Sequence, residues 1–171
     1  GDVLRRQTEQ LGEQIRVLDV GGGDGMDALP LALAGHDVTI VDPSDAWLGE
    51  AQRRAADAGT TITTLRTGLD DLPIGKWDLV LCHFVLRYRD GTTDDVAALA
   101  DRVRPGGQLS IMDVNPDGRV LRELLTGGPT AALEELHADR VLVETFQTDT
   151  RKVNIEATVA QLAQTVGEVV G

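Results

Sequence analysis

The stretch IRVLDVGGGDG, residues 15–25, constrains the fold more than any other part of the chain. IRVLDV (15–20) is a mostly apolar run of the kind that forms a buried parallel strand. It passes directly into Gly21, Gly22, Gly23 and Gly25, and then into a helical pattern over 26–34. A strand that turns through glycines into a helix commits the chain to a crossover. Its next strand then returns parallel to the first.

The rest of the first two-thirds obeys that rule. In the helix over 26–34, Pro30 falls in the first turn or so, where its missing N–H costs little if Asp27 caps. HDVTIVD (36–42) is a second strand. Ser44 or Asp45 caps a helix over 46–58, with Ala51, Ala55 and Ala58 on one stripe and Gly59 ending it. TITTLR (61–66) and KWDLVLC (76–82) are the third and fourth strands. Asp94 and Asp95 lead a helix to about Arg104, which Pro105-Gly106-Gly107 stops, and QLSIMDV (108–114) is the fifth strand. Right-handed crossovers then give an α/β, doubly wound, mostly parallel sheet. Beyond Asn115 the pattern weakens: 118–126 and 130–138 read as helices, RVLVETF (140–146) as strand-like, and Asn154 caps a last helix to about Thr165.

Bulk properties narrow the function classes. The chain of 171 residues is 42% apolar, which suits one domain of 1–171 with a proper core. No apolar run approaches the ~20 residues of a membrane span, and residues 1–14 contain no signal-peptide core. The single cysteine, Cys82, excludes an internal disulfide and fits a reducing compartment, so the expected location is cytoplasmic. A net charge of −12 with five aromatic residues does not suggest a nucleic-acid surface. No metal-ligating pattern stands out.

The glycine loop carries the ligand argument. Gly21-x-Gly23-x-Gly25 lacks the last glycine of the dinucleotide fingerprint, where Met26 stands. Asp19 would oppose a pyrophosphate a few ångströms away. A cationic ligand suits it instead, and S-adenosylmethionine carries an ammonium, a sulfonium and no phosphate. A second role stays open for Asp19, ordering the loop by accepting backbone N–H bonds. Asp42 ends the second strand roughly twenty residues on, where ribose hydroxyls need an acceptor; it can equally cap the next helix. Trp47, one turn into that helix, covers an adenine face or fills the core.

In order along the chain, VLDVGGGDG (17–25), VTIVDPS (38–44), LDDLP (69–73), WDLVLCHFVLRY (77–88) and RPGGQLSIMD (104–113) resemble the class I S-adenosylmethionine-dependent methyltransferases. The resemblance covers residues 15–115 and implies a Rossmann-like sheet of strand order 3-2-1-4-5, with 116–171 a helical acceptor-side or cap region. It implies S-adenosyl-L-methionine as cofactor and S-adenosyl-L-homocysteine as product. Asp19 would neighbour its methionine part, Asp42 would bind the ribose diol, and the Leu69 backbone and Asp70 side chain would lie near adenine; Gly21, Gly22, Gly23, Pro43 and Trp47 complete the expected cofactor-binding set. Cys82 would offer a backbone carbonyl and His83 would lie beside the cofactor. Many relatives carry the adenine-binding acid earlier, where this chain has Gly68. GGGDG, CHFVLRYRD and VNPDGRVLRELLTGG further resemble the branch that includes tRNA wobble-uridine carboxymethyl methyltransferases, although Arg87 replaces an acid there.

Methyl transfer asks mainly for alignment. A carboxylate acceptor would want a cationic clamp such as Arg87 or Arg119. For an amine or hydroxyl acceptor that needs a base, His83 is the one candidate catalytic residue, with cofactor positioning its competing role. The expected activity is methyl transfer to a small-molecule acceptor. The alternatives are tRNA modification or a cofactor-binding but inactive partner or fragment. An NAD-dependent reductase is opposed by Asp19 and Met26. The antiparallel strand pair that usually completes such sheets is expected to be missing or incomplete, because the chain stops at VGEVVG (166–171). An open edge of that kind implies a homodimer or a truncated chain.

Overall fold

β1 (Arg16–Val20) runs through the centre of a five-stranded sheet of order β3-β2-β1-β4-β5. On one side it pairs in parallel with β2 (Asp37–Asp42), and β2 with β3 (Thr63–Arg66). On the other side it pairs in parallel with β4 (Trp77–His83), beyond which lies β5 (Val103–Met112). Chain order reverses direction between β1 and β4, so the carboxyl ends of these two strands flank the switch point where open α/β sheets bind ligands. The computed structural model describes residues 6, 8, 10–89, 94–143 and 147–165. It divides into two compact units, one of 1–83 with 94–111, the other of 84–93 with 112–171.

In the first unit, α1 (Ala28–Leu33) and α2 (Asp45–Asp57) follow β1 and β2, and α3 (Asp94–Ala100) precedes β5. Val17, Ile40, Leu79 and Leu81 from the three central strands pack with Ala28, Leu31, Leu48 and Ala51 from the helices. Leu79 and Leu81 are fully buried, each contributing about 2 kcal/mol by apolar transfer. Ser44, one of the two expected caps, starts α2: its Oγ accepts from the Trp47 N–H at 3.4 Å.

β5 begins five residues before the expected 108. Pro105-Gly106-Gly107, expected as a helix stop, lies inside the strand, and α3 ends at Ala100 rather than Arg104. The reason is proximity: a Cβ on Gly107 would sit 2.7 Å from the Asp78 carbonyl of β4. The glycine therefore serves strand-to-strand approach.

In the second unit, α4 (Pro116–Thr126) and α5 (Gly128–His137) form a helical hairpin. α4 starts two residues before the expected 118, because Asn115 caps it through a 2.9 Å bond from the Asp117 N–H with Pro116 at the first position. β6 (Arg140–Val143) pairs antiparallel with β7 (Thr148–Arg151), a strand with no apolar signal in its sequence TDTR. This pair is a separate two-stranded sheet rather than an extension of the main one. α6 (Ile155–Thr165) is capped by Asn154 as expected, its Oδ1 accepting from the Ala157 N–H at 2.8 Å. The rest of the expected RVLVETF strand, 144–146, and VGEVVG (166–171) lie outside the described residues.

Candidate cofactor site

Parallel register places the motif residues side by side. Val20 lies opposite Val41 on one flank and Cys82 on the other, so Asp42, the glycine loop and His83 leave adjacent strand ends together. The loop is tied down by its own backbone and by Asp42. Gly21 N–H donates to the Val41 carbonyl at 2.7 Å. Asp42 Oδ2 accepts from Gly23 N–H at 3.1 Å and Oδ1 from Ser44 N–H at 2.8 Å. Asp42 thus braces the loop, while capping of α2 falls to Ser44. Asp24 pairs with Arg54 of α2 at 2.5 Å, a second anchor.

Asp19 is the unusual member. It is 1% exposed, and its Oδ2 has no hydrogen-bond partner among the described residues. Burial pushes its carboxyl up to about 7; neighbouring Asp27 and, more weakly, Asp42 push the same way, and His83 opposes. The loop packs directly on this side chain. A Cβ at Gly22 would fall 2.4 Å from Asp19 Oδ2, so Asp19 dictates a glycine there. The loop-ordering role left open for Asp19 therefore does not account for Oδ2, which accepts no hydrogen bond from the described residues.

His83, at the end of β4, is held at both ring nitrogens. Nδ1 lies 2.7 Å from Asp27 Oδ2, and Nε2 lies 3.0 Å from the Ser110 hydroxyl of β5. The natural assignment has Nδ1–H donating to the carboxylate and Nε2 accepting from the hydroxyl. The bond to His83 holds the Asp27 carboxyl below the usual range. Asp27 occupies the expected N-cap position of α1, but its side chain makes no cap bond, because it is spent on His83. Asp27 and Ser110 are thus the residues that sequence reasoning missed. The only signal for Asp27 was a cap-type residue just past the glycines, and that signal had a simpler use.

The remaining expected residues sit on flanking elements. Pro43 is exposed between Asp42 and Ser44. Trp47 is 40% exposed in the first turn of α2. Leu69 is buried and Asp70 follows it in a 3-10 turn, Leu69–Asp71, after β3. Cys82 is fully buried, which leaves its thiol inert packing. Arg87 and Arg119 belong to the second unit. Each already faces a carboxylate, Arg87 Nη2 at 2.5 Å from Asp113 and Arg119 in a two-pronged bond to Glu135 at 2.9 and 3.2 Å. Phe84, the residue after His83, adopts φ 61°, rare for a residue with a side chain.

A parallel sheet of order 3-2-1-4-5 with a glycine loop and acids at its central strand ends defines a nucleotide-binding α/β domain. The methyltransferase-domain family model matches residues 17–107, and the chain belongs to that family, within the class I S-adenosylmethionine-dependent methyltransferases. It is 31% identical over 133 residues to the tRNA 5-carboxymethoxyuridine methyltransferase of Escherichia coli K12, covering 72% of this chain and 50% of that protein. It is 33% identical over 103 residues to a ubiquinone biosynthesis O-methyltransferase of Aromatoleum aromaticum, covering 58% and 44%. The chain therefore spans about half the length of these curated relatives. Among solved structures, the YcgJ protein of Bacillus subtilis superposes with a TM-score of 0.68 at 18% identity, covering 95% of this chain and 66% of that one. A methyltransferase of Clostridium acetobutylicum superposes at 0.55 and 21%, covering 64% and 46%. Both support the fold.

The family's cofactor is S-adenosylmethionine, and the residues present fit it. The buried Asp19 Oδ2 has no hydrogen-bond partner among the described residues, which suits a cationic ligand group. The Asp42 carboxylate, with one N–H on each oxygen, retains lone pairs for ribose hydroxyls. Among the described residues no helix is long and apolar enough to cross a membrane.

Proposed function

We propose that this chain transfers a methyl group from S-adenosylmethionine to a small-molecule acceptor. The observation that supports the cofactor half of this reading is Asp19, a buried carboxylate whose Oδ2 has no hydrogen-bond partner among the described residues. When bound, the cofactor would supply an electrophilic methyl group: the acceptor's lone pair takes it up while the C–S bonding pair stays on sulfur, leaving a neutral thioether. The chain's own residues then bind and orient. Asp19 attracts positive charge, Asp42 fixes the loop and accepts from the ribose, and the Asp27–His83–Ser110 chain of hydrogen bonds locks the end of β4. With both ring nitrogens engaged, His83 acts as a positioning residue rather than as a general base. Rate then comes from alignment.

The test is a transfer assay with isotopically labelled cofactor, offered metabolite extract and tRNA separately. Label in a small organic product supports the reading; label in tRNA moves the function to that of the Escherichia coli relative. Binding of S-adenosylhomocysteine with no transfer to either pool makes the chain a cofactor-binding partner or fragment. Tight NAD binding without affinity for S-adenosylhomocysteine overturns the cofactor assignment. A homodimer remains part of the proposal, and sedimentation equilibrium of the chain decides it.

A further inference from the structure

The helical hairpin of the second unit leaves its apolar side uncovered. α4 has no buried residue, and α5 has only Ala132. In α4, Leu121, Leu124 and Leu125 follow the i, i+3, i+4 spacing of one helical face, and in α5 Leu133 and Leu136 repeat it. These five leucines are 46–78% exposed. The covered side of both helices is marked by the Arg119–Glu135 bond, with Lys152 on the same carboxylate. Arg119 stands two residues before Leu121, and Glu135 two after Leu133, about 200° round each helix. Both leucine stripes therefore face outward together.

The rims of this face are charged and self-complementary. Arg122 and Glu134 each follow a stripe leucine by one residue and are exposed, whereas the other flank of the stripes carries Val120 and the buried Ala132. In antiparallel helices the same one-residue step points to opposite sides, so the two charges stand on opposite outer rims. Arg122 precedes the Gly127 turn by five residues and Glu134 follows it by seven, which puts them within about 3 Å of the same height along the hairpin. A two-fold axis along the hairpin brings Arg122 of each copy over Glu134 of the other, twice. Glu134 pairs with no cation among the described residues, and Arg122 has its neighbour Glu123 at 2.6 Å.

We infer that two copies of the chain join through this leucine face. The five leucines present roughly 500 Å² of apolar surface on each copy, and burying both sets removes about 1,000 Å², most of what a small specific interface needs before the rims are counted. A lipid surface fits less well. An interfacial helix flanks its apolar face with several Lys or Arg, and on this hairpin Arg122 is outnumbered by Asp117, Glu123 and Glu134. The inference rests on the homodimer proposed above, to which it assigns a helical surface instead of a sheet edge. It does not rest on methyl transfer.

The test is sedimentation equilibrium of the parent, of Leu125→Glu, and of Arg122→Glu and Glu134→Arg alone and mixed, with far-UV circular dichroism checking each fold. The parent should be a dimer, and Leu125→Glu should weaken it by at least about tenfold. Each charge variant alone sets like charges across both rims and should weaken the dimer by roughly tenfold, whereas the equimolar mixture should form a heterodimer of parental strength. The mixture decides the matter even if Leu125→Glu does not fold. A monomeric parent overturns the homodimer and this surface together. A dimer indifferent to the folded variants, or a mixture no stronger than its components, overturns the surface alone. Binding of the parent to phosphatidylglycerol vesicles that Leu125→Glu abolishes would overturn it in favour of a lipid surface.

Discussion

Asp19→Asn is the most informative single change, because it keeps shape and removes only the charge. With its carboxyl pushed from 3.8 to about 7, Asp19 binds a proton in the folded chain across a range where the unfolded chain has lost it. Its contribution is full below the unfolded value and is lost as pH rises through the folded one. The loss runs at about 1.4 kcal/mol per pH unit, to a total of about 4 kcal/mol once both states are ionised. The asparagine has no such slope. Its buried amide carries its own cost of about 1–3 kcal/mol, so the diagnostic is the pH dependence of the difference rather than either stability alone. Urea denaturation of both proteins from about pH 4.5 to pH 8 measures it. The stability of the variant relative to the parent should rise across this range and level off above about pH 8. Binding gives the mirror image. Affinity of the parent for S-adenosylmethionine should fall up to about tenfold per unit as pH drops below 7, while the variant binds weakly throughout with little slope. A difference curve that is flat with pH, or a parent whose cofactor affinity ignores pH, would refute the picture of an uncompensated carboxylate awaiting a cation.

Four other expectations follow from the same geometry. Gly22→Ala forces a Cβ into the Asp19 carboxylate and should cost about 1–3 kcal/mol of stability, read by thermal melts. Asp42→Ala removes the acceptor of two loop N–H groups and should weaken S-adenosylhomocysteine by more than ~1 kcal/mol in calorimetry. Asp27→Asn takes the charged acceptor from His83 Nδ1 and should cost about 1.5–3 kcal/mol of stability, read by urea denaturation at neutral pH. Glu135→Gln leaves Arg119 and Lys152 facing a neutral side chain and should destabilise the chain by about 3 kcal/mol. Those two cations hold the Glu135 carboxyl below its usual range, so this cost should be present above the unfolded value and fade as pH falls through the folded one.

The strands of the main sheet were legible because buried parallel strands need long apolar runs, and the chain supplies them at β1, β2 and β4. The acids at strand ends were legible for the opposite reason: Asp19 and Asp42 end apolar runs, where a carboxylate is costly to bury. β7 was not legible, since TDTR pairs through its backbone and carries no hydrophobic alternation. Nor was the true start of β5, where Gly107 answers to a carbonyl on a neighbouring strand that local pattern cannot reveal.

By itself, the sequence determined the alternation of elements, the parallel sheet and the position of the glycine loop, because these follow from local periodicity and from residues next to each other in the chain. Tertiary structure alone decided the state of the side chains. It left Asp19 Oδ2 without a hydrogen-bond partner among the described residues, turned Asp27 from a helix cap into the partner of His83, 56 residues away, and set Arg119 and Lys152 on one carboxylate, Glu135. Charge balance and desolvation depend on distances through space, and those exist only once the chain has folded.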